Sequence, residues 1–232
     1  MKKTLFTFMA LAMAFAVTSC QNNEELSLEP TDPPTNGPMV TTGTAKATID
    51  GKQVDVNWVQ LWSGGPKFAE FNVGAANKKA EDYGGYYCWG SSKDKDSNGA
   101  YKSGTDALTG DSDTATNLWG SNWRMPTQAE LQALLSNCNV TWTDNYNSTG
   151  KKGRIYTGKG AYSSNSVFLP AAGRCSYGDV YGQGSIGYYW SSTPNGSDSA
   201  YDLNFVSGGQ GVNYSNRSRG YSVRAVLNES AE

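Results

Sequence analysis

The residue types able to do chemistry bound the function first. The chain contains no histidine, which removes Ser-His-Asp and Cys-His nucleophilic systems, histidine-dependent zinc sites and the commonest general base near neutral pH. No GxSxG, Walker loop or GxGxxG following a strand occurs, and the glycine-rich runs lie among polar turns. No acid stands out in an apolar context that would raise its pKa for general-acid work. "DKDSNG" sets Asp94, Asp96, Asn98 and Gly99 in the order that opens an EF-hand loop, where alternate oxygens face one cation. The loop then fails, because its twelfth position is Thr105 where a bidentate glutamate is needed. "TGDSDTATN" (109–117) reads the same way, as a polar surface turn. Neither an enzyme nor a metal or cofactor site is therefore expected.

Cysteine chemistry points to a compartment. Lys2 and Lys3 precede an apolar run from Leu5 to Val17 that ends in "VTSC", a signal peptide too short to cross a bilayer as a helix. Cys20 after Thr18 and Ser19 resembles a bacterial lipobox, so lipidation at Cys20 and a membrane anchor are expected. That leaves Cys88, Cys138 and Cys175, an odd number for an oxidising compartment. One bridge and one free thiol is the simplest arrangement; Cys88 with Cys138 is preferred, and spacing does not decide it.

The elements that must position any site follow. Removing residues 1–19 takes two lysines and no acid, leaving 17 basic against 21 acidic residues, net −4. Such a balance offers no electrostatic attraction for nucleic acid. Residues 20–44 are polar and proline-bearing, as expected of a flexible tether. Residues 45–228 have the length of one domain. "ATIDGKQVDVNWVQL" alternates around an Asp50-Gly51 turn and predicts a hairpin. "EDYGGYYCWG" brings aromatics for the interior, and Ser91–Asn117 reads as a long surface excursion. One clear amphipathic helix lies in "WRMPTQAELQALLSNC": Thr127 and Glu130 form a capping box, and Leu131, Leu134, Leu135 and Cys138 share a face. "VTWTDNY", "GRIYTG", "SVFLPAAG", "GYYWSST", "AYDLNFV" and "YSVRAVL" read as short strands split by polar turns. The expected class is α+β, with short strands and many loops.

Several blocks taken in order, "DVNWVQLWSGGPKFAEFNVGA", "YYCWG", "TATNLWGSNWRMPTQAELQALLSNC", "VFLPAAG", "GYYWSST" and "RGYSVRAV", resemble the Fibrobacter succinogenes major paralogous domain over roughly residues 54–226. The resemblance implies a C-type-lectin-like fold, related to that of the formylglycine-generating enzyme. The paired active-site cysteines of that enzyme have no match here, so its oxidase activity is not implied. Phe71 stands where many relatives have Cys, and Cys88 where many have Ala. Gut Bacteroidales members of the family include targets of diversity-generating retroelements, which mutate template adenines and overwrite a C-terminal stretch of the target gene. Asn codons so treated become Ser, Tyr, Asp, Gly, Thr or Val, never a stop. Residues 187–226 are filled mainly from that set around a sparse apolar skeleton.

On the resemblance, Ala200, Leu203, Phe205, Gly220, Val223 and Arg224 are scaffold positions. Asp198, Tyr201, Asp202, Asn204, Val206, Asn213, Tyr214, Asn216, Ser218 and Tyr221 are the variable, ligand-binding ones. Strand alternation supports the division: Leu203 and Phe205 share one face, and Asp202, Asn204 and Val206 the other. Tyr supplies rigid amphipathic contact area while Ser, Asn and Gly supply adaptable hydrogen bonding. The expected function is a lipid-anchored protein at the outer membrane, exposed on the cell surface, that binds a protein or glycan ligand through this C-terminal face. The alternatives are a structural or adhesin component of the envelope with an invariant surface, and a carbohydrate-active enzyme. Glu24 and Glu25 resemble the acidic export signal of Bacteroidetes surface lipoproteins. Asp113-Thr114-Ala115 and Asp198-Ser199-Ala200 resemble the O-glycosylation pattern of their exported proteins.

Overall fold

The computed structural model describes residues 41–229. The expected signal peptide, Cys20, the acidic pair and nearly all of the expected tether lie outside them. The chain divides between Met39 and Val40, and every described residue belongs to the second unit.

The predicted hairpin opens the fold. β1 (Thr42–Ile49) and β2 (Lys52–Gln60) pair antiparallel in unbroken register from Thr42↔Val59 to Ile49↔Lys52. Asp50 and Gly51 both have positive φ, 52° and 74°, as a two-residue turn matching the strand twist requires. Because β1 begins at Thr42, the expected boundary at residue 45 falls inside a strand. β3 (Lys67–Ala69) pairs with β2.

The stretch expected to be one long surface excursion ends in a helix that the sequence reading missed. α1 (Thr114–Trp119) starts at Asp113, whose carboxylate accepts from the backbone N–H of Ala115 and Thr116 at 2.9 and 3.0 Å. It also accepts from Met125 N, locking the helix to β4 (Trp123–Arg124). The helix escaped notice because six residues carry no apolar period. α2 (Gln128–Asn137) is the predicted helix, with both halves of the Thr127–Glu130 capping box formed. Arg124 adds a two-pronged ion pair to Glu130 at 2.6 and 2.8 Å. Burial opposes ionisation of Glu130, yet the bonds from Arg124 and Thr127 hold its carboxyl below the usual range.

β5 (Asn139–Thr143), β6 (Gly153–Thr157) and β7 (Ser166–Pro170) make an antiparallel meander. β8 (Arg174–Ser176) and β9 (Asp179–Tyr181) form a small ribbon. β10 (Gly187–Asn195), β11 (Ser199–Val206) and β12 (Gly209–Asn216) form a third sheet with β11 in the middle. β12 was read as filler, because its small polar residues carry no alternation. β13 (Val226–Leu227) closes the first sheet by inserting between β3 and β4, in the order β1-β2-β3-β13-β4. Strands dominate and two short helices accompany them, so the class is α+β.

The core lies on both sides of the third sheet. One cluster joins Trp58, Phe71, Trp89, Trp119, Trp123 and Val223 to Trp190 and Ala200. The other joins Leu131 and Leu134 of α2, Tyr156, Val167 and Leu169 to Tyr189, Leu203 and Phe205. Fully burying side chains of this size contributes about 1.5–3 kcal/mol each. Two glycines fit this packing by close approach: a Cβ at Gly187 would stand 2.1 Å from the ring of its cross-strand partner Phe205, and one at Gly43 2.6 Å from Trp58.

Loops between these layers are tied by an arginine in the interior. Arg224 is 2 % exposed, forms no ion pair among the described residues, and donates to Asn72 Oδ1 and to the carbonyls of Ala69, Glu70 and Phe168 at 2.8–3.1 Å. Buried carbonyls without donors cost about 1–3 kcal/mol each, so one side chain satisfies acceptors from two separate strands.

Candidate functional site

The expected ligand-binding residues lie on or beside the β11–β12 hairpin, but they do not share one outward face. Register sets Tyr201 opposite Tyr214, Asp202 opposite Asn213, and Asn204 opposite Gly211. Cross-strand partners project to the same side of a sheet. Tyr201 and Tyr214 therefore stand on the Leu203–Phe205 side, their rings edge to face at 6.3 Å, while Asp202, Asn204 and Asn213 stand on the other. Both sides of β11 meet a core cluster, so the solvent-exposed positions gather on the edge strand β12 and at the hairpin's ends. Asp198, Val206, Asn213, Tyr214 and Asn216 are exposed; Tyr201, Asn204 and Ser218 are half-buried. Tyr214, at 64 % exposure, is the most prominent side chain of this ridge.

Two of the ten expected contact residues are corrected. Tyr221 is 2 % exposed and stacks between Tyr188 (4.7 Å) and Trp190 (4.3 Å), its hydroxyl donating to Ser215 Oγ at 3.0 Å. It is a core residue, because the C-terminal segment runs beside β10 and pairs with it, Trp190 N donating to Ser222 O and Ser222 N to Tyr188 O. Asp202 is 0 % exposed. Its Oδ1 accepts from Asn204 Nδ2 at 3.1 Å, and Asn204 Oδ1 accepts in turn from Asn213 Nδ2 at 3.2 Å. Its Oδ2 has no hydrogen-bond partner. Burial pushes this carboxyl above the usual aspartate range, despite the hydrogen bond from Asn204. The reading that no acid stands in an apolar context is thus corrected at Asp202. It is corrected at Asp113 too, which burial also pushes up against its backbone donors.

The hairpin's frame is Arg217, a residue hidden from sequence reading by the neutral filler around it. Its guanidinium is fully buried, lies 4.0 Å from the centre of the Trp89 ring, and forms no ion pair among the described residues. It donates to the carbonyls of Lys102, Gly104, Gly196 and Ser199 at 2.8–2.9 Å. The excursion after Ser91, the β10–β11 turn and the first residue of β11 are thereby pinned together. Asn216 turns the chain into this cage, its Oδ1 accepting from Ser218 N and Oγ. At the other end Arg154 donates to the carbonyls of Val206 and Ser207. Between the ends, a shallow depression of about 370 Å³ lined by Ile186, Asn204, Val206, Gly209 and Asn213 borders the ridge. Two larger grooves, of about 540 and 610 Å³, lie on the β1–β2 side away from it.

Other expectations resolve around this frame. Cys88, Cys138 and Cys175 are buried free thiols, so the preferred Cys88–Cys138 bridge is not formed. Cys88 Sγ donates to Ser218 O, whereas Cys138 packs with Leu131 and Leu134 in the second cluster. Burial pushes both thiols up to about 11. The EF-hand-like loop is closed by its own backbone: the Asp96 carboxylate accepts from Asn98 N, Ala100 N and Lys93 Nζ. Thr114 is buried and its hydroxyl donates to Ser91 O, which leaves it inaccessible as a glycosylation acceptor.

Residues 142–226 match a protein family described as a domain of unknown function, DUF8237. No curated protein matches the chain. No solved structure matches it. The matched segment holds the whole hairpin together with Arg217 and Arg224, and it excludes α2 and the first hairpin.

Asp202 carries a pH-dependent test. A carboxyl whose folded-state pKa is raised gives its full stabilising contribution below the ordinary aspartate pKa of about 4, and loses it as pH rises through the folded value. Asp202→Asn keeps the shape and removes the charge. In urea unfolding, the variant should therefore gain on the wild type as pH rises above about 4, the gain levelling off once the carboxyl of the folded protein has ionised. A difference in midpoint that stays constant over that range would contradict an orphaned, desolvated carboxylate.

Proposed function

We propose that this protein is a lipid-anchored recognition protein of the outer membrane, displayed at the cell surface, and that it binds a protein or glycan ligand through the β12 ridge and the flanking ends of the hairpin. We further propose that the α+β domain is C-type-lectin-like. The observation that carries the reading is the contrast within one hairpin: β11 is fixed by core on both sides, while Tyr214, Asn213 and Asn216 stand exposed on the strand beside it. Surface aromatic and amide side chains on a rigid strand lose little conformational entropy on binding. Substitutions at Asn213 and Tyr214 should cost the fold little, which is what a diversified surface requires. The contact set is now Asp198, Tyr201, Asn204, Val206, Asn213, Tyr214, Asn216 and Ser218, without Asp202 and Tyr221.

Three measurements test it. Tyr214→Ala should leave the unfolding midpoint within about 0.5 kcal/mol of wild type, as surface substitutions do, whereas Tyr221→Ala should cost on the order of 3 kcal/mol. Equal costs would remove the division between ridge and frame. Sequencing the gene across a cell population should then show adenine-confined changes at the exposed codons and none at Leu203 or Phe205; variation spread over all bases would reject diversification. For the anchor, Cys20→Ala should move the protein from the membrane fraction to the soluble one, and retention in the membrane would reject it.

A further inference from the structure

The groove of about 540 Å³ between the start of β1 and the loop after β5 is remote from the hairpin ridge and has a distinct chemistry. One wall is a polar row crossing three strands: Thr44 pairs with Asn57, and Asn57 O accepts the backbone N–H of Glu70. Asn57 Nδ2 donates to Glu70 Oε2 at 2.8 Å, which tethers one carboxylate oxygen. Among the described residues Glu70 Oε1 has no donor, and the hydroxyls of Thr42, Thr44 and Ser166, which also line the groove, have no hydrogen-bond partner. The facing wall is Tyr146, whose ring lies flat on Phe168 with centroids 3.8 Å apart and planes 2° apart. Tyr146 is held there by a tight loop in which Asn147 and Ser148 both have positive φ, 45° and 61°.

The two walls share a foundation. Arg224 donates to the carbonyl of Glu70 at 2.8 Å and to the carbonyl of Phe168 at 3.1 Å. The backbone that carries Glu70 and the strand on which Tyr146 stacks are thus tied together by one buried side chain. No lysine or arginine lines the groove, so an anionic ligand would meet the Glu70 carboxylate with no compensating cation.

We propose that this groove binds a neutral saccharide, with a sugar ring stacked on Tyr146 and adjacent hydroxyls donating to Glu70. A flat aromatic face suits the C–H face of a pyranose, and a fixed carboxylate with one unfilled oxygen suits a pair of hydroxyl donors. With a single carboxylate on its lining the groove is a binding site, and no bond cleavage is assigned to it.

The test is calorimetric titration of the full chain with four neutral tetrasaccharides: cellotetraose, maltotetraose, xylotetraose and mannotetraose. At least one should bind saturably. Tyr146→Ala and Glu70→Gln should each weaken that binding roughly tenfold, the equivalent of about 1.4 kcal/mol. Glu70→Gln is near-isosteric, so it keeps the test alive should Tyr146→Ala fail to fold. Tyr214→Ala should leave the affinity unchanged. No saturable binding by any of the four, or binding untouched by both groove variants, would overturn the proposal. Loss of binding in Tyr214→Ala alone would move saccharide recognition to the ridge and equally overturn it.

Discussion

Backbone carbonyls that find no partner in a sheet or helix are the problem this fold must solve, and buried arginines solve it. Strands are short and connections long, so many acceptors lie inside without a ladder to join. Arg217 and Arg224 each reach carbonyls from separate stretches of chain, and neither forms an ion pair among the described residues. A guanidinium presents five N–H donors in a fixed plane, enough to hold several loops at once, and no other side chain can do that. Arg217 also gains from lying over the Trp89 ring, where cation–π attraction in a desolvated setting adds about 2 kcal/mol. The cost of burying each charge is met by the acceptors it gathers.

That arrangement explains how the two candidate surfaces are displayed. Arg217 and Arg154 anchor opposite ends of the β11–β12 hairpin, and two core clusters grip β11 between them. The edge strand then presents its side chains on a backbone that does not depend on them. Arg224 does the same for the groove, joining the backbone of Glu70, just after β3, to the strand on which Tyr146 stacks. In both places the polar residues that meet solvent are separate from the groups that hold the chain still. Asp202 is the exception: a carboxyl at a position expected to vary that is sealed in with one oxygen unpartnered, as would follow if its identity were not selected for packing.

Local patterns in the sequence were legible where a periodic signal exists. Asp50-Gly51 between alternating strands gave the first hairpin, and Thr127 with Glu130 gave the cap of α2. The alternation of Leu203 and Phe205 gave the inward face of β11. What could not be read was whether a second layer covers the opposite face. Period two says that Asp202 and Leu203 point apart; it does not say that Trp190 and Tyr221 wait on the far side. β12 was lost because Gly, Asn and Ser carry no alternation, and α1 because its cap is the only helical signal it has. Arg217 carries no local signal at all, since nothing near it in the sequence shows that four carbonyls from distant segments converge on it.

Equilibrium unfolding of Arg217→Met tests the central claim most directly. Methionine keeps much of the apolar stem and removes the buried charge, so it separates the cost of desolvating a cation from the gain of satisfying carbonyls. If the arginine holds the loops, the acceptors left at Lys102, Gly104, Gly196 and Ser199 should lower stability by at least about 3 kcal/mol, several times the worth of an ordinary hydrogen bond. If desolvation dominates, as it does for some buried ion pairs, the variant will be as stable as the wild type or more so, and the account of this fold as loops gathered by buried guanidinium groups will be wrong.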